Sequence, residues 1–406
     1  MTDPWPGTRV ADQVNSARCR RDNPTPRRRD RLSSVPEAQA QSEDVAYRSG
    51  QLITYLGNKR QLLGLIDDAL AHVQQELDRP LVVLDAFSGS GVVSRLAKAR
   101  SACVIANDLE SYARVISECF LTNSDEIDTV LLDRTVTDFN KIVESGYRSP
   151  GFIAKNYAPA DDNRIDPGER AFYTSENARR LDAYVELIHA LDDPVRTLLL
   201  GPLLSAASVH ANTSGVFKGF YKDRATGIGR FGGSGANALG RITGTITLTA
   251  PVLSHHRSAR RVLQVDAAAL PALIGPVDVA YLDPPYNQHP YGSNYFMLNL
   301  IAENRPPAAM SPISGIPRDW NRSGYNVRSN AAGLLQKLIN ELDARFLLVS
   351  FNDEGFISPV QMRDMLTAVG TVTEFTQRYN TFRGSRNLHG RNAHVTEHLY
   401  LVERHR

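Results

Sequence analysis

Apolar residues change their spacing along this chain, and each change marks an element. From Asn58 onward Leu62, Leu63, Ile66, Leu70, Val73 and Leu77 recur at helical intervals, which predicts an amphipathic helix that stops before Pro80. The period then gives way to an unbroken run, Leu81-Val82-Val83-Leu84, as expected of a strand buried on both faces. A Gly-rich turn, helical residues Val92 to Ala99 and a second run, Cys103-Val104-Ile105-Ala106, follow and end at Asn107-Asp108. Strand, helix and strand in that order predict a βαβ unit. Residues 112–209 read as mostly helical around a polar, Pro-containing interruption at Tyr147–Gly168. Residues 211–250 carry nine glycines among Thr, Ser and basic residues, which predicts loops and short β-ribbons such as Arg241–Leu248. The α/β pattern resumes with strand Val277–Leu282, helix Ala331–Asp343, strand Phe346–Phe351, helix Ser358–Val369 and strand Glu397–Val402.

Composition narrows the class. A chain of 406 residues with average Gly and Pro content predicts two or three folded domains. No run approaches the ~20 apolar residues of a membrane helix, so an integral membrane protein is not expected. The opening MTDPWPGTRVADQ has neither the basic flank nor the apolar stretch of a secretory signal. Three cysteines (Cys19, Cys103 and Cys119) show no metal-ligand spacing and cannot all pair, which fits a reducing cytoplasm. Residues 1–46 hold eight arginines with almost no apolar periodicity and read as a disordered tail. The formal net charge of +2 conceals a strong asymmetry. Between His210 and Arg261 eight basic residues face Asp223 alone, so that stretch carries +7 and the remainder −5. A second acid-free stretch, Phe375 to Arg391, carries Arg378, Arg383, Arg386 and Arg391. Positive segments in a balanced chain suit one anion-binding face.

Two short motifs bring chemistry. Asp85-Ala86-Phe87-Ser88-Gly89-Ser90-Gly91 lies at a strand-to-helix turn. Glycines there let the backbone approach a ligand, and the following helix N-terminus favours an anionic group. Asp108, at the end of the next strand, is placed to accept hydrogen bonds from a ribose. Asp85, Phe87, Gly89, Gly91 and Asp108 thus fit either a dinucleotide or S-adenosylmethionine. Later, Val279-Ala280-Tyr281-Leu282 runs into Asp283-Pro284-Pro285-Tyr286. An exocyclic amine on an aromatic base is a poor nucleophile, because its lone pair is delocalised into the ring. Hydrogen bonds from that amine to the Asp283 carboxylate and the Pro284 carbonyl would localise the pair. Pro284 and Pro285 fix the turn, Tyr286 offers a face for a flipped-out base, and Asp283 can take up the departing proton.

In combination and order these motifs resemble the Dam-like, alpha-group DNA adenine-N6 methyltransferases. The resemblance runs from Tyr47 to Val402 through Tyr55-Leu56-Gly57-Asn58-Lys59-Arg60, the Phe87–Gly91 turn, Asn107-Asp108, a basic insert and Asp283-Pro284-Pro285-Tyr286. It implies a Rossmann-like methyltransferase sheet with helices on both faces. Residues 47–125 and 255–406 would form the catalytic domain and 126–254 an inserted target-recognition region. It further implies S-adenosylmethionine as cofactor, no metal, and contacts to the cofactor from Tyr55, Lys59, Asp108 and Asp283. Lys59 would meet its methionine carboxylate, and Asp266, ahead of the tetrapeptide, would lie near its adenine.

The expected activity is site-specific transfer of a methyl group to the N6 amino group of a flipped-out adenine in double-stranded DNA. Lys218, Lys222, Arg224, Arg230, Arg241, Arg383 and Arg386 are the expected phosphate contacts, with Asn212, Thr213 and Ser214 reaching base edges. A monomer is expected, paired with a restriction endonuclease that acts on the same site or working alone. The rival readings are cytosine-N4 methylation, methylation of RNA or of a protein glutamine, and a non-catalytic DNA-binding relative.

Overall fold

The computed structural model describes residues 43–147, 151–233, 238–380 and 394–405. Seven strands form one sheet: β1 (Leu81–Asp85), β2 (Ser101–Asn107), β3 (Ala259–Leu263), β4 (Val277–Leu282), β5 (Ala344–Asn352), β6 (Gly370–Asn380) and β7 (His394–Arg404). Their spatial order is β3-β2-β1-β4-β5-β7-β6. The first five run parallel, while β7 is antiparallel to both β5 and β6.

Side-chain alternation explains why the central strands read as unbroken apolar runs. Leu84, Ala280, Leu282, Leu347 and Val349 enter the core under helices Arg328–Glu341 and Pro359–Thr367. Val83, Val279, Tyr281, Phe346 and Leu348 enter the opposite core, under helices Leu63–Leu77 and Val92–Lys98. Both faces are covered, so both sets must be apolar. This is the expected α/β architecture, a Rossmann-like methyltransferase sheet. A third core lies beyond the sheet, where helices Ser111–Leu121, Ser175–His189, Val195–Val209 and Phe296–Glu303 pack together.

Three local expectations are corrected. Ordered chain is already present ahead of the expected boundary, as helix Val45–Ser49, and the helix expected from Asn58 begins at Leu63 after a single 3-10 turn, Arg60–Leu62. The ribbon expected over Arg241–Leu248 is instead a short helix, Leu239–Thr243, followed by extended chain. Strands β3 and β6 went unread because both are sheet edges. Each β3 residue is only partly buried or exposed, and β6 mixes Thr, Glu, Gln and Arg with its apolar positions. No described helix is long and apolar enough to cross a membrane.

Candidate active site

Strands β2, β1 and β4 are parallel neighbours, so their C-terminal ends meet on one rim of the sheet, where open α/β sheets hold their ligands. The turn after β1 needs its glycines. Gly89 and Gly91 have φ of +49° and +75°. A Cβ on Gly89 would lie 2.7 Å from Tyr55 Oη, and one on Gly91 3.0 Å from Ile116 Cγ2. The turn is joined to the end of β2: Gly89 N–H donates to Asp108 Oδ2 at 2.8 Å, and Ser88 N–H donates to the Asn107 carbonyl at 2.8 Å. Asp108 Oδ1 accepts from Glu110 N–H at 3.0 Å. Behind the turn, buried Asp85 accepts from Ser94 Oγ at 2.6 Å. Burial, reinforced by the neighbouring Asp283 and Asp108 charges, pushes the Asp85 carboxyl up to about 7.

A cleft opens along this rim. Tyr55, Phe87, Asp108, Asp266, Asp283 and Pro285 all line it, so the structure brings these expected cofactor and catalytic residues together. Glu110, Tyr291, Asn321 and Tyr325 also contribute to its wall. Tyr55 stacks on Tyr291 and Tyr295, with centroids 5.1 and 4.9 Å apart. Phe87 meets the Tyr325 ring edge-on at 5.2 Å. Asp266 caps the turn Ala267–Ala269 through Ala268 N–H, at 2.9 Å. Glu110 accepts from the side-chain amides of Asn299 and Asn321, and burial raises its carboxyl to about 7.

At the end of β4 the Asp283 carboxylate meets a buried ion cluster. Lys59 Nζ lies 3.1 Å from Asp283 Oδ1 and 2.5 Å from Glu397 Oε1, and Ser350 Oγ donates to that same Glu397 oxygen at 3.2 Å. Lys59 is therefore a buried partner of Asp283, not a lysine reaching freely into the cleft. Burial raises the Asp283 carboxyl to about 7, Lys59 opposing the rise and Glu397 adding to it. Tyr286 is fixed from several sides. Its carbonyl accepts Phe356 N–H at 2.8 Å, its ring meets Phe351 edge-on at 6.0 Å, and its hydroxyl lies 3.0 Å from where a Gly57 Cβ would stand. Glu397 is barely marked in the sequence as part of this site. Its one signal is the period of β7, where Glu397 falls on the same face as buried Leu399 and Leu401.

The profile of the D12 class N6 adenine-specific DNA methyltransferases matches residues 55–228 and 260–365, most of the chain and all of the rim just described. The chain belongs to this family. It is 26% identical to the type II methyltransferase M.NlaIII of Neisseria lactamica, over 87% of this chain and 99% of that protein. Identity to the type II methyltransferase M.CviAII of Paramecium bursaria Chlorella virus 1 is 27%, over 86% of this chain and 98% of the relative. The modification methylase StsI of Streptococcus sanguinis is 24% identical over 86% of this chain, which spans 52% of that longer protein. The activity is thus adenine-specific DNA methylation at N6, and the cytosine, RNA and protein alternatives fall away.

On this D12-class enzyme the basic residues of the 211–250 stretch divide into two groups. Lys218, Lys222, Arg224 and Arg230 are exposed. Among the described residues, Arg230 is the one of these four with an ion pair, to Asp223 at 4.0 Å. The loop carrying them docks on the segment that follows the Asp283–Tyr286 tetrapeptide: Phe217 N–H donates to the Asn294 carbonyl at 2.7 Å. His289 has its pKa lowered by burial and by the nearby Lys218 charge. Arg241, by contrast, donates to the carbonyls of Val209, Ala211 and Thr213, so its guanidinium ties the loop together. Arg257 and Arg260 are paired with Asp125 and Glu126 at 3.0 and 2.5 Å. The expectation that Asn212 and Thr213 reach base edges is corrected, since both are buried. Asn212 spends its amide on the Ala171 and Arg230 carbonyls and on Gly232 N–H, while Ser214 remains exposed. Arg383 and Arg386 lie outside the described residues.

Proposed function

We propose that the methyl donor is S-adenosylmethionine and that the acceptor is an adenine rotated out of double-stranded DNA. The observation that carries this reading is one cleft lined by both Asp108 and Asp283, with the Gly89 amide bonded to Asp108. The residues present fit the donor. Phe87 and Tyr325 give apolar surface for a purine, with Asp266 on the same wall. Asp108 accepts one backbone N–H on each oxygen and keeps lone pairs for ribose hydroxyls.

When bound, the cofactor supplies an electrophilic methyl group on a sulfonium sulfur, and that sulfur keeps the bonding electrons as the methyl leaves. The chain's task is to make the adenine nitrogen attack. Asp283, ionised, accepts a hydrogen bond from the amino group, with the Pro284 carbonyl as second acceptor, so the nitrogen lone pair is localised. Tyr286 supplies a partly exposed ring on which the base stacks. The proton shed by the methylated amine is accepted at the Asp283 carboxylate and passed to water.

Lys218, Lys222, Arg224 and Arg230 are assigned to DNA phosphates, together with Arg383 and Arg386. Residues 126–254 serve as the target-recognition insertion within a catalytic domain of 47–125 and 255–406. Similarity to type II methyltransferases and modification methylases supports pairing with an endonuclease of the same specificity, and we take the enzyme to be monomeric and cytoplasmic.

The test uses the full chain, tritiated S-adenosylmethionine and unmethylated duplex DNA, with the digested nucleosides resolved. Label is expected in N6-methyldeoxyadenosine. Asp283→Ala is expected to lower transfer by about 1,000-fold or more while leaving the fold and nonspecific DNA binding in place. Unchanged turnover in that variant overturns the reading.

A further inference from the structure

The ion cluster behind the tetrapeptide contains an acid with no role so far. Glu397 does not line the cleft; its Oε1 reaches the same Lys59 Nζ that pairs with Asp283. The Lys59 and Glu397 side chains are 5% and 1% exposed, so this contact is no surface ion pair. Two carboxylates share the Lys59 ammonium in a place that water hardly reaches. A lysine held on one side only keeps the freedom of its four-carbon stem. Glu397, itself hydrogen-bonded by Ser350 across the β5–β7 ladder, removes that freedom.

We infer that Glu397 is a positioning residue for methyl transfer: acting through Lys59, it fixes the orientation of Asp283 and sets how readily that carboxylate ionises. This rests on the reading of Asp283 as acceptor for the adenine amino group. The groups that face Asp283 are Lys59, Glu397, Asp85 and the phenols of Tyr281, Tyr286 and Tyr291. Lys59 favours its charged form, whereas Glu397 and Asp85 oppose it. Neutralising Lys59 and neutralising Glu397 must therefore move Asp283 in opposite directions. Asp85 and Glu110, the other rim acids raised to about 7, owe their shifts to neither of them. A limb that moves both ways therefore belongs to Asp283.

The experiment measures single-turnover transfer of tritiated methyl to unmethylated DNA from pH 5.5 to 9, with the full-length wild type, Glu397→Gln, Glu397→Asp and Lys59→Gln. Wild-type transfer to adenine secures the underlying reading; its failure removes both. Glu397→Gln is expected to lose roughly tenfold in plateau rate while its acid limb moves down by ~1 pH unit. Lys59→Gln should move the limb up, with a fall in rate at saturating cofactor. Glu397→Asp keeps the charge and should hold the limb near the wild-type position with a partial plateau. Should Glu397→Gln not fold, a wild-type plateau in Glu397→Asp overturns the inference. So does a lowered plateau in Glu397→Gln with an unmoved limb, which marks packing alone. A Lys59→Gln variant that changes only the KM for S-adenosylmethionine also overturns it, because Lys59 would then be a cofactor clamp.

Discussion

The rim formed by β1, β2 and β4 and the loop within residues 211–250 are built in opposite ways. On the rim each functional group is held by its neighbours: Gly89 by Asp108, Asp85 by Ser94, Asp283 by Lys59. In the loop the side chains that hold are not those that reach outward. Asn212 and Arg241 bond the loop's own backbone, and Lys218, Lys222 and Arg224 extend into solvent. The rim depends on particular residues at particular backbone angles. The loop depends on a few anchors and a net charge, and leaves the rest free to vary.

A methyl group at position 89 should break the rim first. Gly89→Ala forces an L-residue into the left-handed region, which costs about 1–2 kcal/mol, and drives its Cβ against a Tyr55 ring that is stacked on two other tyrosines and cannot swing away. Calorimetric titration should show S-adenosylmethionine affinity reduced by roughly a hundredfold. An undiminished affinity would mean that the turn does not shape the cofactor site. The loop should respond to charge and not to shape. Replacing Lys218, Lys222 and Arg224 by alanine should cost roughly tenfold in DNA affinity at low salt. It should also flatten the plot of log K against log salt by about 2–3. If the slope holds, the loop does not meet phosphates.

The two regions should also separate by pH. The Asp283 carboxyl is raised to about 7 and must be ionised to accept the amino hydrogen bond. Single-turnover rates should thus climb with pH through neutrality, falling about tenfold per unit on the acid side. DNA affinity carried by lysine and arginine should stay level over the same range. The smallest effect concerns stability. Burial raises Asp85 from 3.8 to about 7 in the fold. Its protonated form is therefore the stabilising one: its contribution is complete below about pH 4 and lost as pH rises through 7. Asp85→Asn should raise the melting temperature by a few degrees at pH 8 and by little at pH 5. An equal gain at both would assign the effect to packing.

The same contrast decides what could be read from the sequence. Strands β1 and β4 showed as apolar runs because both of their faces are covered, and the tetrapeptide showed because its chemistry needs those residue types consecutively. Asp266 and Phe87 fell where expected, on the cleft wall. Strands β3 and β6 did not show, because an edge strand wears polar residues on its open side. Glu397 stayed hidden since its partner Lys59 lies at the other end of the chain, and only the folded sheet brings the two together. Arg241 and Asn212 have the composition of DNA-contacting residues and do internal work, which a count of charges cannot distinguish.

The loop is anchored to the segment after the tetrapeptide through buried groups: Phe217 N–H donates to the Asn294 carbonyl, and the Phe217 ring packs on Phe296 at 6.3 Å. Neither contact uses the exposed side chains nearby. Those side chains can be exchanged one by one without shifting the loop relative to the rim, so, with the loop as the proposed reading surface, descendants of one enzyme could acquire new target sites while inheriting an unaltered reaction centre.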